Sequence, residues 1–200
     1  MTTSTTAPAP RSLSLCFDVR GDALLARDPF ALVTGMLLDQ QMPMERAFLG
    51  PWKLAERMGT TERLDVARIA AYDPEEFAAL VSTPPAVHRF PGSMAGRIQG
   101  LARHMVVEYA GDTAAIWRSV PSGDALYHRL LDLPGYGDQK ARILLALLGK
   151  QLGVRPRGWR QAAGAYGEAG STRSVADVTD AASLAAVRSF KQAAKAAAAR

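Results

Sequence analysis

The sequence predicts an all-α protein, and three observations carry that reading. Helix-start signals recur along the chain, as an aspartate or serine followed by proline or by acids. Apolar residues return at the three- and four-residue intervals of a helix face. Alternation of apolar and polar residues, the mark of half-buried strands, is almost absent.

Taken in order, a short extended piece is expected at 13–19, and Asp28-Pro29 then starts a helix with an apolar face of Phe30, Leu32, Val33, Met36 and Leu37. Pro43 opens a helix that reaches Met58, with a kink or break expected at Gly50-Pro51. Asp73-Pro74-Glu75-Glu76 repeats the start signal, with acids where the helix dipole favours them. A Pro/Gly-rich connector, 84–92, leads into a long amphipathic helix from near Ser93 to Gly111. Ser122 caps a helix to Asp132, the turn Leu133-Pro134-Gly135-Tyr136-Gly137 follows, and a strongly apolar helix runs from Asp138 to about Leu152. After a basic loop at 153–158, helices near 159–166 and 180–199 close the chain. No internal repeat is present, and only the Ala/Lys-rich terminus approaches low complexity.

With 200 residues, 48% of them apolar, the chain can bury a substantial core in one domain or two small lobes. Residues 1–12 read as a disordered tail and 13–200 as one helical domain, with the hairpin and its two helices at about 123–152. The opening MTTSTTAPAP has neither the basic nor the apolar region of a secretory signal, and no apolar run spans a bilayer. A cytoplasmic protein with no membrane partner is expected. Cys16 is the only cysteine, which excludes an internal disulfide and any four-cysteine metal or iron–sulfur site. His88, His104 and His128 are scattered as ordinary surface or boundary residues, so neither a metal nor a cofactor is expected. Nothing demands a dimer, and a monomer is expected.

The net charge of +5 is concentrated. Between Asp138 and Arg173 lie Lys140, Arg142, Lys150, Arg155, Arg157, Arg160 and Arg173 against Asp138 and Glu168, so the rest of the chain is neutral. Such a segment is either a footprint for a polyanion, most often a nucleic acid, or a solvated basic face.

The hairpin suits the first reading. Gly135 and Gly137 leave peptide N–H groups uncovered, and the helix that starts at Asp138 directs its N-terminus to the same place, as a phosphate oxygen requires. Lys140 and Arg142 add charge within a turn. Contacts of this kind hold DNA without reading its sequence. The same five residues also suit a plain helix–helix connection.

Three stretches, MLLDQQ at 36–41, SMAGRIQGLARHMV at 93–106 and LLDLPGYGDQKARILLALL at 130–148, resemble the helix-hairpin-helix (HhH-GPD) DNA glycosylase superfamily, which contains the endonuclease III and adenine-specific mismatch glycosylases. The resemblance covers about 29–152 and implies two helical lobes with double-stranded DNA across the cleft. It also implies a bent duplex, a base turned out of the stack, and cleavage of its N-glycosidic bond in base-excision repair, in a protein associated with the nucleoid. By the same resemblance, Leu133, Gly135, Tyr136, Gly137, Gln139, Lys140, Arg142, Arg155 and Arg157 bind DNA, and Gln41 is either the side chain that fills the gap left by the base or a polar helix end.

The chain departs from the family's catalytic pattern. The aspartate the family carries after the hairpin helix is missing from Gly153-Val154-Arg155-Pro156-Arg157-Gly158-Trp159, and the lysine of the bifunctional branch is replaced by Gln139. Lys140 is one step further, about a quarter turn round the helix, which directs its amine elsewhere and fits a phosphate contact. A monofunctional glycosylase is therefore expected, with Asp39 as the candidate catalytic carboxylate or else a helix-end acid; the other reading is a DNA-binding protein without catalysis that recognises distorted or damaged duplexes. Trp159 and Tyr166 stack on bases or pack in the core, with core packing expected for at least one, and Tyr136 lies on DNA or fills a cleft between helices.

Overall fold

The computed structural model describes residues 12–198, which form ten α-helices and no strand. The expected tail, 1–12, lies outside the described residues except for Ser12. In chain order the helices are α1 (Val19–Arg27), α2 (Pro29–Leu38), α3 (Met44–Met58), α4 (Val66–Ala71), α5 (Pro74–Ser82), α6 (Pro91–Tyr109), α7 (Gly123–Leu131), α8 (Asp138–Gln151), α9 (Trp159–Ala163) and α10 (Ala181–Ala198). Short 3-10 turns sit at Thr113–Ile116, Gly164–Gly167 and Val175–Asp177. No helix among the described residues is long and apolar enough to cross a membrane.

The start signals act as read. Asp28 accepts from the Phe30 N–H, Asp73 from those of Glu75 and Glu76, and the Ser122 hydroxyl from that of Ala125. Two helices escaped the sequence reading, α1 and the six-residue α4, capped by Asp18 and Asp65. The extended piece expected at 13–19 is not a strand. Its backbone wraps the Asp22 carboxylate, which accepts from the N–H groups of Leu15, Cys16 and Phe17, and Val19 already begins α1. Helix α3 passes through Gly50-Pro51 unbroken, because Gly50 is wedged against Leu38 and Val87 and packing outweighs the lost N–H.

Helix α2 organises the molecule. Every residue from Phe30 to Leu38 is buried, as befits a helix apolar on all sides. It packs on α3 and α6 in the first group of helices and on α8 in the second. In the first group, α4 and α5 cover α6, and the buried Gln99 of α6 donates to the carbonyls of Ile69 and Tyr72. In the second, α7, α8 and α9 pack on one another with Trp159 as their wedge. The expectation that at least one of Trp159 and Tyr166 packs in the core is met by Trp159, which is 6% exposed.

The glycine at 149 exists for that wedge, since a Cβ there would enter the van der Waals shell of the Trp159 indole. Gly149→Ala is expected to cost about 1–3 kcal/mol through overpacking, and Tyr136→Phe about 1 kcal/mol through the loss of a buried hydroxyl bond. Urea unfolding of both variants checks this; a Gly149→Ala protein as stable as the parent would contradict the wedge.

Candidate active site

The hairpin between α7 and α8 is built against α2. Gly135 takes φ +83°, in the left-handed region, and a Cβ at this position would strike the Leu37 side chain. Leu133 and Tyr136 are buried, and the Tyr136 hydroxyl donates to the Val33 carbonyl at 2.7 Å. Of the two places read for Tyr136, on DNA or in a cleft between helices, the side chain takes the second, with Leu133 buried beside it in the core. Gly137 caps α8 and is exposed, which leaves the amides at the start of that helix open to a ligand.

Lys140 also departs from expectation. Its half-buried ammonium donates to the Leu37 carbonyl at 2.7 Å, at the C-terminal end of α2, rather than extending as a free arm. Burial lowers its pKa to about 8, against the opposing pull of Asp39. Gln139 remains more exposed, with its amide donating to the Tyr166 hydroxyl at 3.0 Å. Side-chain reach, rather than Cα position alone, brings the Lys140 amine to the α2 end.

These groups line a cleft of about 530 Å³ between the end of α2, the start of α8 and α10, with Asp39, Gln41, Gly137, Lys140, Arg173 and Lys191 among its walls. Asp39 caps α2 through its backbone N–H, and its carboxyl is pushed above the ordinary range by burial, although Lys191 and Lys140 pull it down. One half-buried carboxyl thus sits among cations, a composition suited to a nucleotide, whose phosphates seek positive charge while its sugar and base seek a shielded pocket.

Gln41 stands exposed at the rim with φ +55°, a conformation that costs an L side chain on the order of 1 kcal/mol. The surroundings enforce it. His88 donates from Nε2 to the Gln40 carbonyl at 3.0 Å while its Nδ1 accepts from the Phe90 N–H. Arg89 donates to the Gln41 carbonyl and Arg97 to the Gln40 side chain. Phe90 is 43% exposed beneath the Arg89 guanidinium, beside the same loop. Sequence reasoning missed this support. His88, read as a surface or boundary residue, is 2% exposed, and the only available signal was His-Arg-Phe inside a connector otherwise rich in proline and glycine.

The remaining basic residues disperse. Arg142 is held by Asp138 at 2.7 Å, by the Ala162 carbonyl at 2.7 Å and over the Tyr127 ring, so it is no free phosphate arm. The Tyr127 hydroxyl, with the same arginine, holds the Asp138 carboxyl below its usual range. Arg157 is exposed and shares a groove with Arg142, whereas the Nε of Arg155 caps α8 at the Gly149 carbonyl, 2.8 Å away. Lys150 pairs with the buried Asp177. The structure brings Asp39, Gln41, Gly137, Gln139 and Lys140 together, and leaves Arg142, Arg155 and Arg157 outside that cleft. Among the described residues no cluster of histidines, cysteines and acids is arranged for a metal.

A family model described as HhH-GPD superfamily base excision DNA repair protein matches residues 34–199. No curated protein and no solved structure matches the chain.

Burial lowers the His88 pKa from its ordinary 6.5, with Arg89 acting in the same direction. The folded state therefore resists the proton that the unfolded chain accepts, and stability is complete above pH 6.5 and falls as pH drops from there towards the folded value. Urea unfolding between about pH 7.5 and 5.5 is expected to show a larger acid loss in the parent than in His88→Gln, which keeps a donor for Gln40 but does not titrate. Parallel losses would refute the role given to this histidine.

Proposed function

Since the chain belongs to the HhH-GPD superfamily of base excision DNA repair proteins, we propose that it is a DNA N-glycosylase that holds duplex DNA at the hairpin and acts on a base turned out into the cleft beside Asp39. The observation that carries this reading is the half-buried Asp39 carboxyl and the Lys140 amine lining one nucleotide-sized cleft, with Gln41 held at its rim.

Loss of a base leaves positive charge on the deoxyribose, and a nearby carboxylate lowers that barrier by stabilising the cation or by drawing a proton from attacking water. Asp39 supplies that carboxylate in place of the one absent from 153–158. Open backbone amides at Gly137 and the start of α8 hold a phosphate, and Arg173 and Lys191 balance the neighbouring charge. Gln41, pinned at the rim, takes the space of the extruded base. Phe90, exposed under Arg89 next to the Gln41 loop, is a second side chain able to lean on the opened stack.

A second reading concerns Lys140. An amine with a pKa of about 8 is partly neutral near physiological pH and able to attack the C1′ carbon of a base-free sugar. Nitrogen–carbon bond formation with loss of water would give a Schiff base and make the protein bifunctional, where sequence reasoning expects a monofunctional enzyme.

Duplexes carrying uracil, oxidised, alkylated or mismatched bases, incubated with the protein and then with alkali, test the proposal. Base release is expected from at least one of them, reduced by about 10²–10⁴-fold in Asp39→Asn with binding retained. Borohydride is expected to trap a covalent complex that increases as pH rises through about 8 and is absent from Lys140→Ala, if the second reading holds. Tight, salt-sensitive binding without release from any duplex would leave a DNA-binding protein without catalysis.

A further inference from the structure

Helix α10 changes character halfway along. Its first part packs: Leu184 and Val187 are buried, Arg188 pairs with Glu45 of α3, and the Arg173 guanidinium lies 5.0 Å from the Phe190 ring centre. From Lys191 to Ala198 every residue is exposed, and the helix leaves the body of the protein. This projecting part reads Lys-Gln-Ala-Ala-Lys-Ala-Ala-Ala. Alanine has the highest helix propensity, and the packed half removes the cost of nucleation, so the helix persists without neighbours.

Arg188, Lys191 and Lys195 are spaced three and four apart and share one face. Two of them fix its direction: Arg188 meets α3, and Lys191 lines the cleft. Lys195 continues the line about 6 Å beyond Lys191, past the cleft mouth. No acidic residue occurs between Ala181 and Ala198. The projecting part has no large apolar side chain either, so it offers little to a protein groove or a bilayer, both of which need buried apolar area. What remains is positive charge continuous with the cleft.

We propose that the projecting half of α10 is an arm that lies along the phosphate backbone of duplex DNA flanking the cleft, with Lys195 contacting a phosphate outside the site of base extrusion. The arm rests on the DNA-binding reading above and extends it to a surface that the hairpin does not touch. Successive phosphates on a strand advance about 3.4 Å along the duplex axis, so the step from Lys191 to Lys195 spans one to two of them.

Binding of the full chain to an end-labelled duplex of about 30 base pairs, followed by fluorescence anisotropy between about 50 and 200 mM KCl, tests the arm. Lys195→Ala preserves the helix and is expected to weaken binding roughly threefold or more at the low-salt end, with a salt slope smaller by about one. Lys195→Glu is expected to weaken it further and Lys195→Arg to restore it. Unchanged affinity and slope in both Lys195→Ala and Lys195→Glu would overturn the arm while leaving DNA binding at the cleft intact. A deficit that salt does not alter would overturn it as well, since a phosphate contact must release counterions. Absence of binding by the parent protein at every salt concentration would remove both the arm and the reading beneath it.

Discussion

Three groups of the hairpin segment end on α2: the Tyr136 hydroxyl on the Val33 carbonyl, the Gly135 backbone against Leu37, and the Lys140 ammonium on the Leu37 carbonyl. The last turn of any α-helix leaves carbonyls without helical partners, and burial makes an unsatisfied one costly. At α2 that need is met partly by Lys140 and partly by Gln40, whose side-chain amide also donates to Leu37. The requirement sets the distance between the two groups of helices. It also brings the start of α8, with its open amides, to the end of α2, where the chain turns through Asp39 to Gln41. A cleft at this junction follows from satisfying a helix end and needs no separate device.

The loop at the junction stores a small amount of strain and is overdetermined in return. A left-handed glutamine persists only where neighbouring contacts cost more to break than the backbone gains by relaxing. The carbonyls of Gln40 and Gln41 are claimed by His88 and Arg89, from a segment almost fifty residues away in sequence. Because His88 is buried and accepts from Phe90 as well, its ring cannot swing without losing two bonds. The rim of the cleft is thereby tied to the start of α6, and Gln41 is held ready before any ligand arrives.

Much of the fold was legible in residue patterns, because helix starts rest on local chemistry: an aspartate beside proline caps a helix whatever surrounds it, as Asp28 and Asp73 do. The shape of the hairpin was legible for the same reason. Short α4 offered too few residues for a periodic pattern, and the residues before α1 looked extended because their organiser, Asp22, lies further along the chain. Charge misled most. Seven basic residues close in sequence suggested one face, yet Lys150 pairs internally, Arg155 caps α8, Arg142 is held on three sides, and Lys140 turns inward. Long cationic side chains satisfy carbonyls and carboxylates of their own fold before any partner, and that choice depends on contacts distant in sequence. Lys191, which does line the cleft, was hidden in a terminus that looked like low complexity.

In the cleft, desolvation prevails over attraction. Asp39 and Lys140 favour one another's charged forms, yet the carboxyl is pushed up and the amine down, each towards neutrality. On the function proposed above, a nucleotide entering the site would change both terms at once. Its phosphates add negative charge, which favours the ammonium of Lys140 and raises the carboxyl of Asp39 further, while its sugar and base displace water and deepen the desolvation of both. Lys191 and Arg173 work against the first effect on Asp39, because they neutralise the incoming phosphates before those charges are felt at the carboxyl. On the function proposed for the cleft, the cations around Asp39 oppose both its burial and the charge of an incoming phosphate, and so favour the ionised carboxylate that a sugar cation requires.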